Sequence, residues 1–150
     1  MAVIWQKYID GKKYPVRNAG NTRRLYTNGV CHSEFNPDKL VTGSVWDLLI
    51  LPALFYPPGR IKRVLMLGVG GGASILQLHH LVEPESITGV ELNPVHLDIA
   101  KRFFNVDVTQ VNLYEADARE WTEQYIGDAF DMIIDDLFID EDSEPVRAVE

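Results

Sequence analysis

The chain has 150 residues, a net charge of −8 and a single cysteine. That length suits one domain with a real core, and one cysteine excludes an internal disulfide framework or a cysteine-rich metal site. The acidic balance speaks against nucleic acid as main partner, no apolar run spans a membrane, and no signal pattern opens the chain, so a cytoplasmic protein is expected.

The first sixty residues carry most of the positive charge. Residues 1–62 hold nine Lys/Arg against four Asp/Glu, and residues 63–150 hold five against eighteen. Two differently built halves packed together account for this; a basic surface for a polyanion is the alternative. Tyr8-Ile-Asp-Gly-Lys-Lys-Tyr14 and Arg24-Leu-Tyr-Thr-Asn-Gly-Val-Cys-His32 predict β-hairpins, because Asp-Gly and Asn-Gly supply the positive φ angles of tight turns. Between them, Pro15 is expected to confine any strand to an edge. Ser44 reads as an N-cap, with Val45, Leu48, Leu49 and Pro52 on one face of a short helix. Pro57-Pro58-Gly59 closes this unit, which sets the expected division at residues 1–58 and 59–150.

From Ile61 the pattern alternates strand and helix. Arg63-Val-Leu-Met-Leu67 runs into Gly68-Val-Gly-Gly-Gly72, and a helix follows with Ile75, Leu78, His79 and Val82 on one face. Ile87-Thr-Gly-Val-Glu91 is the second strand. Asn93-Pro94 then opens a helix as cap and first-turn proline, with Val95, Ile99 and Phe103 as its stripe. Val111 to Asp117 is the third strand, and a helix from Asp117 turns Ala118, Trp121 and Tyr125 inward before Gly127. Asp128 to Asp135 is the fourth strand. Near-continuous apolar strands alternating with helices predict a parallel α/β sheet covered on both faces.

In such a sheet the carboxyl ends of the strands line one crevice. Gly68 to Ala73 fits G-x-G-x-x-A, a weak motif alone, whose glycines admit a ligand close to the backbone. Glu91 is placed to accept from both hydroxyls of a ribose, and Asp117 from an adenine amino group. Asp135 and Asp136 add carboxylates where an amine or sulfonium would sit. A dinucleotide fingerprint does not call for these further acids.

The runs Val64 to Gly72, Gly89-Val-Glu-Leu-Asn-Pro94, Glu115-Ala-Asp-Ala118 and Phe130 to Asp135 resemble the successive motifs of class I S-adenosylmethionine-dependent methyltransferases. With Leu25-Tyr-Thr-Asn-Gly-Val30 and Val41-Thr-Gly-Ser-Val-Trp-Asp-Leu-Leu49, they resemble the spermidine synthase-like branch more narrowly, over residues 22–138. The resemblance implies a Rossmann-like parallel sheet of the class I methyltransferase type, incomplete, with a small N-terminal β-hairpin region. It implies S-adenosylmethionine or its decarboxylated form as cofactor. Gly68, Gly70 and Gly72 would lie under the methionine portion, Glu91 would hold the ribose, and Leu92 would pack on the adenine. Asp117 would bind the adenine amino group with Ala118 beside it, and Asp135 would help activate an attacking amine. The Ser-Asp-Pro-type gate loop of polyamine synthases is replaced by Asp135-Asp-Leu-Phe-Ile-Asp-Glu-Asp-Ser-Glu-Pro145, and their Tyr-His pair by Val45-Trp46-Asp47.

The expected function is therefore aminopropyl or methyl transfer to a small acceptor, an amine in the aminopropyl case. A methyltransferase of small molecules, a non-catalytic nucleoside-binding scaffold lacking the substrate half, and a NAD-dependent dehydrogenase follow in that order. Four strands in place of the usual seven leave the fourth as an apolar edge, from which a homo-oligomer paired through that edge is expected. Other residues draw plainer readings. His79 and His80 belong to a helix face or surface. Trp46 and Trp121 are expected as core anchors, and Cys31 has no base partner to make it catalytic. The acids Asp135, Asp136, Asp140, Glu141, Asp142 and Glu144 read mainly as a solvated loop, with Mg2+ the lesser reading, so no metal site is expected.

Overall fold

Asp-Gly and Asn-Gly turns fold the N-terminal residues into an antiparallel sheet of β1 (Ala2–Ile9), β2 (Lys12–Ala19), β3 (Thr22–Thr27) and β4 (Val30–Phe35), in that spatial order. Both residues of each turn hold positive φ, 48° and 74° at Asp10 and Gly11, 48° and 94° at Asn28 and Gly29. The computed structural model describes residues 1–108, 110–141 and 144–147, with side chains described for residues 1–107 and 110–138. Pro15 does not mark an edge: β2 lies between β1 and β3. Pro15 pairs with Gln6 of β1, while the register with β3 begins one residue later, at Val16 opposite Leu25. The β2–β3 register spans Val16 to Ala19, so Pro15 lies just outside that ladder and its missing N–H is not needed there.

The expected apolar face of α1 (Val45–Ile50) also differs. Val45 and Leu48 are exposed, as is Pro52 in the following 3-10 turn (Leu51–Phe55), while Ile50 and Ala53 enter the core. The helix is too short to be oriented by a stripe; its polar end orients it. Asp47 accepts from the backbone N–H groups of Thr42 (3.3 Å) and Gly43 (2.6 Å) and from the Gln77 side chain (2.5 Å). Burial opposes ionisation of Asp47, but these donors outweigh it and hold its pKa below the ordinary value. Ser44 stands at the N-cap with extended backbone and makes no side-chain cap bond, its Oγ accepting instead from Thr42 Oγ1 at 2.7 Å.

The second half is doubly wound. β5 (Arg63–Leu67), α2 (Ala73–Leu81), β6 (Ser86–Glu91), α3 (Pro94–Phe104), β7 (Val111–Glu115), α4 (Ala118–Gln124) and β8 (Met132–Asp135) form a parallel sheet in the order β7-β6-β5-β8. Asn93 caps α3 as its residue type predicts, its side chain accepting from Val95 N at 3.0 Å with Pro94 in the first turn. The sheet is covered on both faces. Val64, Met66 and Ile87 join the α2 and α3 side, whereas Leu65 and Val90 pack with Ala118 of α4. Each fully buried Leu or Ile in these layers contributes roughly 1.5–3 kcal/mol over an exposed one.

The N-terminal sheet shares the larger core, through Tyr14, Val16 and Leu25. Polar pins fasten it. The Arg23 guanidinium donates to the Phe103 carbonyl at the end of α3, and the Ala73 N–H at the start of α2 donates to Ser33 Oγ at 3.1 Å. Among the described residues β8 pairs only with β5, and Ile133 on it is 60% exposed. The acid-rich stretch beyond it is not a loop throughout: β9 (Phe138–Glu141) and β10 (Glu144–Arg147) pair antiparallel. Asp142 lies outside the described residues, as do the side chains of Asp140, Glu141 and Glu144. Among the described residues, no helix is long and apolar enough to cross a membrane.

Candidate active site

β5 is neighbour to both β6 and β8, so connections leave it toward opposite sides of the sheet. Ligand sites of open α/β sheets form at that switch, outside the carboxyl ends of the strands. Here the chain leaves β5 through Gly68 and Gly70, with φ of 82° and 54°. A Cβ on Gly68 would stand 2.3 Å from the Asp136 carbonyl oxygen, and one on Gly70 2.6 Å from the His32 carbonyl oxygen. The loop is thus gripped from two sides, by the end of β8 and by β4 of the N-terminal sheet.

Above it opens a cavity of about 490 Å3 whose lining includes Gly68, Gly70, Glu91, Leu92, Asp117 and Ala118. Six of the residues singled out from sequence are therefore brought together. Gly72 is not among them; its Cα faces Val106, where a Cβ would fall 2.4 Å from Cγ2. Asp135 is not among them either. It lines a separate shallow cleft with Leu48, Pro52 and Ile133, and its Oδ1 accepts from Leu137 N at 3.1 Å.

Glu91 ends β6 with its side chain 11% exposed. Its Oε2 accepts from Val69 N (3.0 Å) and Gly70 N (2.8 Å), and its Oε1 from Asn93 N (2.8 Å). Three backbone donors fix the carboxylate plane while leaving lone pairs for hydroxyl donors from the cavity. Asp117 sits at the N-cap of α4, where Oδ1 accepts from Arg119 N (2.8 Å) and Glu120 N (3.3 Å). Leu92, 62% exposed, offers an apolar face between the two acids.

Asp136, placed with Asp135 near an amine or sulfonium by the sequence, lines the cavity, and residues not assigned to it from sequence, among them His32, Trp46 and His96, line it too. Trp46, expected as a core anchor, is half-buried on the cavity wall. Trp121 does pack inward, stacked on Tyr125 at 4.9 Å. His32 follows the Asn28-Gly29 turn and reaches the cavity because β4 lies over the glycine loop. Of the two strand-four acids, the pleat brings Asp136 to the cavity. Strand side chains alternate, and Ile134 is buried, so Asp136 shares its side of the strand while Asp135 opposes it. Burial, then the charges of Asp135 and Glu91, push the Asp136 carboxyl up to about 6. Burial likewise pushes up the thiol of Cys31, which also lines the cavity.

Chemically, the cavity offers two fixed carboxylates at the spacing of consecutive strand ends, an apolar shelf between them, and a third carboxyl with a raised pKa. Close backbone approach is possible only where glycine stands. A hydroxyl-bearing, amine-bearing planar ligand fits that donor set; a bare polyphosphate would meet three acids.

Residues 64–148 match the family described as a methyltransferase domain. A relative named polyamine aminopropyltransferase 2, from Caldanaerobacter subterraneus subsp. tengcongensis, is 30% identical over 106 residues, covering 69% of this chain and 35% of its own. In structure the chain is similar to a spermidine synthase crystallised with the transition state analogue AdoDATO (TM-score 0.67, 18% identity, 88% of this chain and 45% of that one). It is similar also to a probable spermidine synthase from Corynebacterium glutamicum (TM-score 0.71, 15% identity, 89% of this chain and 51% of that one). The chain spans about a third to a half of the length of these relatives.

Proposed function

Because the chain belongs to the methyltransferase-domain family, in its spermidine synthase-like branch, we propose that its cavity binds the adenosyl part of an S-adenosylmethionine-type cofactor, intact or decarboxylated, for transfer of a methyl or aminopropyl group to a small acceptor. The observation that carries this reading is Glu91. A carboxylate at the end of the second parallel strand is held by Val69, Gly70 and Asn93 N–H groups, facing a cavity it shares with Asp117 and Leu92. In the proposed complex Glu91 accepts from the ribose hydroxyls, Leu92 packs on the base, and Asp117 accepts from the adenine amino group. Gly68 and Gly70 give the sulfonium side room beside the backbone.

When bound, the cofactor supplies an electrophilic carbon on a sulfonium whose sulfur leaves with the bonding pair. The protein's task is then to position the acceptor and take its proton. Asp136 is the residue assigned that task. As an acceptor nitrogen or oxygen attacked that carbon, the Asp136 carboxylate would take the proton the acceptor loses. A carboxyl raised to about 6 is still ionised at neutral pH and is a stronger base than an ordinary aspartate.

Calorimetric titration with S-adenosylmethionine, its decarboxylated form and methylthioadenosine tests the reading. Binding of at least one, weakened about tenfold or more by Glu91→Gln, is expected. Wild-type affinity in that variant, or no binding of any of the three, overturns it.

A further inference from the structure

Beside Glu91, with His96 and His32 on the cavity wall, lies a polar cluster that the transfer reaction does not use. His96 sits in the first turns of α3 and is 6% exposed. Its Nε2 is 2.8 Å from Thr27 Oγ1, itself 1% exposed at the end of β3. Its Nδ1 is 3.9 Å from Glu91 Oε1. Tyr14 of β2 meets the ring edge-on at 5.9 Å, and the ring of His32 from β4 lies 4.9 Å away. Asn93 links the same groups by another route, with its backbone N–H on Glu91 Oε1 at 2.8 Å and its side-chain amide donating to Tyr14 OH at 3.3 Å.

From this juxtaposition we infer that His96 is a positioning residue, one that sets the ribose-facing side of Glu91 and ties it, through Thr27, to the N-terminal sheet. The inference rests on the nucleoside reading of Glu91. Two tautomers satisfy the Thr27 contact. With hydrogen on Nε2 the ring donates to Thr27 and turns an Nδ1 lone pair toward a carboxylate oxygen, which is repulsive. With hydrogen on Nδ1 the Thr27 hydroxyl donates to Nε2 and the Nδ1–H dipole faces Glu91, which is attractive. At 3.9 Å this is no hydrogen bond; the ring acts as a wall and an oriented dipole. Oε2 is already held by Val69 and Gly70, and Oε1 by Asn93. The imidazole borders Oε1 from the cavity wall, and the lone pairs left over are those available to a hydroxyl in the cavity. Thr27 keeps the ring from rotating, because a buried hydroxyl that loses its partner costs free energy. Among the described residues, the titratable groups that face His96 include Glu91 from β6, His32 from β4 and Tyr14 from β2.

The test uses two ligands, adenosine and the dideoxyadenosine that lacks both ring hydroxyls, titrated calorimetrically against the wild type, His96→Leu, His96→Gln, Thr27→Val and the Thr27→Val/His96→Leu pair, with thermal midpoints alongside. The expected result is a wild-type preference for adenosine that falls about three- to tenfold in His96→Leu and Thr27→Val. Affinity for the dideoxy ligand should stay unchanged, the pair should lose no more than His96→Leu alone, and His96→Gln, which keeps a polar atom toward Thr27, should recover part of the preference. Thr27→Val nearly keeps the side-chain shape and reports even where His96→Leu fails to fold. An unaltered preference in both single variants overturns the inference while leaving Glu91 as the ribose ligand. Equal loss of both ligands with a lowered midpoint also overturns it, as a purely structural role. A wild type that does not distinguish the ligands overturns the ribose role of Glu91 and the inference with it.

Discussion

Asp135 and Asp136 are adjacent in sequence and open into different clefts: Asp136 lines the main cavity with Gly68, while Asp135 lines the shallow cleft beside Leu48 and Ile133. The separation follows from the pleat, which sends neighbouring side chains to opposite faces. Two acids that sequence alone places together at the end of the fourth parallel strand thereby acquire different surroundings, and burial pushes the Asp136 carboxyl up to about 6.

The first prediction follows for transfer activity. Asp136→Asn lowers kcat by at least about 100-fold, the range a removed general base commands, while Asp135→Asn has little effect. The wild-type rate rises with pH through about 6, as Asp136 ionises, and then levels. Initial rates of product formation against pH, for the three proteins, check this. Equal losses in the two variants would assign the base elsewhere.

A second prediction concerns stability. The folded pKa of Asp136 is raised from 3.8 to about 6. Below the unfolded value the carboxyl is protonated in both states and costs nothing. As pH rises toward the folded value the unfolded state releases its proton first, so stability falls, and the whole cost is present above it. With some screening from the cavity, the cost is about 1 to 3 kcal/mol. Asp136→Asn removes it, so the variant melts about 2 to 8 °C above wild type at neutral pH and level with it in acid. Thermal denaturation at several pH values distinguishes this from a gain that ignores pH.

Most of the architecture was legible because its signals are local. Asn28-Gly29 and Asp10-Gly11 dictate their hairpins, Asn93-Pro94 caps its helix, and glycines follow the first parallel strand where close approach is needed. The failures came where distant partners decide. Pro15 is tolerated inside β2 because the β2–β3 ladder begins only at Val16. α1 turns Val45 and Leu48 outward because Asp47 and Gln77 set its orientation. In the site, Gly68, Gly70, Glu91, Leu92, Asp117 and Ala118 converge because each ends a strand or begins its helix at one edge of the sheet. His32 and Trp46 come from outside that sheet. Only the docking of the N-terminal strands and α1 beside the loop brings them in, and no spacing in the sequence encodes that.

Asp117 is the N-cap of α4 and, in the proposed complex, the adenine ligand as well, two roles that substitution separates. Asp117→Ala removes the acceptor for Arg119 and Glu120 N–H groups and costs about 1 kcal/mol of stability, besides weakening adenosine binding. Asp117→Ser keeps a capping oxygen but is too short to reach an adenine amino group, so it weakens binding with little change in denaturation midpoint. Parallel chemical denaturation and titration of the two variants check the separation. A serine variant that binds as wild type would leave Asp117 a cap alone.

Gly70 and Gly59 provide a matched pair. Both hold positive φ, 54° and 74°, but a Cβ at Gly59 meets nothing within 4 Å whereas one at Gly70 meets the His32 carbonyl at 2.6 Å. Gly59→Ala therefore costs only backbone strain, about 1 kcal/mol. Gly70→Ala adds displacement of β4 from the loop and costs at least about 2 kcal/mol more, with loss of nucleoside binding. Urea denaturation of the two variants measures the difference, and similar midpoints would mean β4 yields freely.

Cys31 reports on the cavity without any substitution. It is the single cysteine of the chain, lines the cavity, and rests with its Sγ 3.7 Å from the Ser33 carbonyl oxygen. Burial, reinforced by the charge of Glu34, raises its pKa above the ordinary thiol value, outweighing the Ser33 contact and Arg24. Little thiolate is then present at neutral pH, and the thiolate is the reacting form. Iodoacetamide is predicted to alkylate the native protein about tenfold or more slowly than the urea-unfolded chain, with a rate that climbs only in alkaline solution. Methylthioadenosine, seated between Glu91 and Asp117, slows it further. Mass spectrometry of a quenched time course reads both effects. Equal native and unfolded rates would show the thiol open to solvent, and slow alkylation indifferent to methylthioadenosine would place that ligand away from β4.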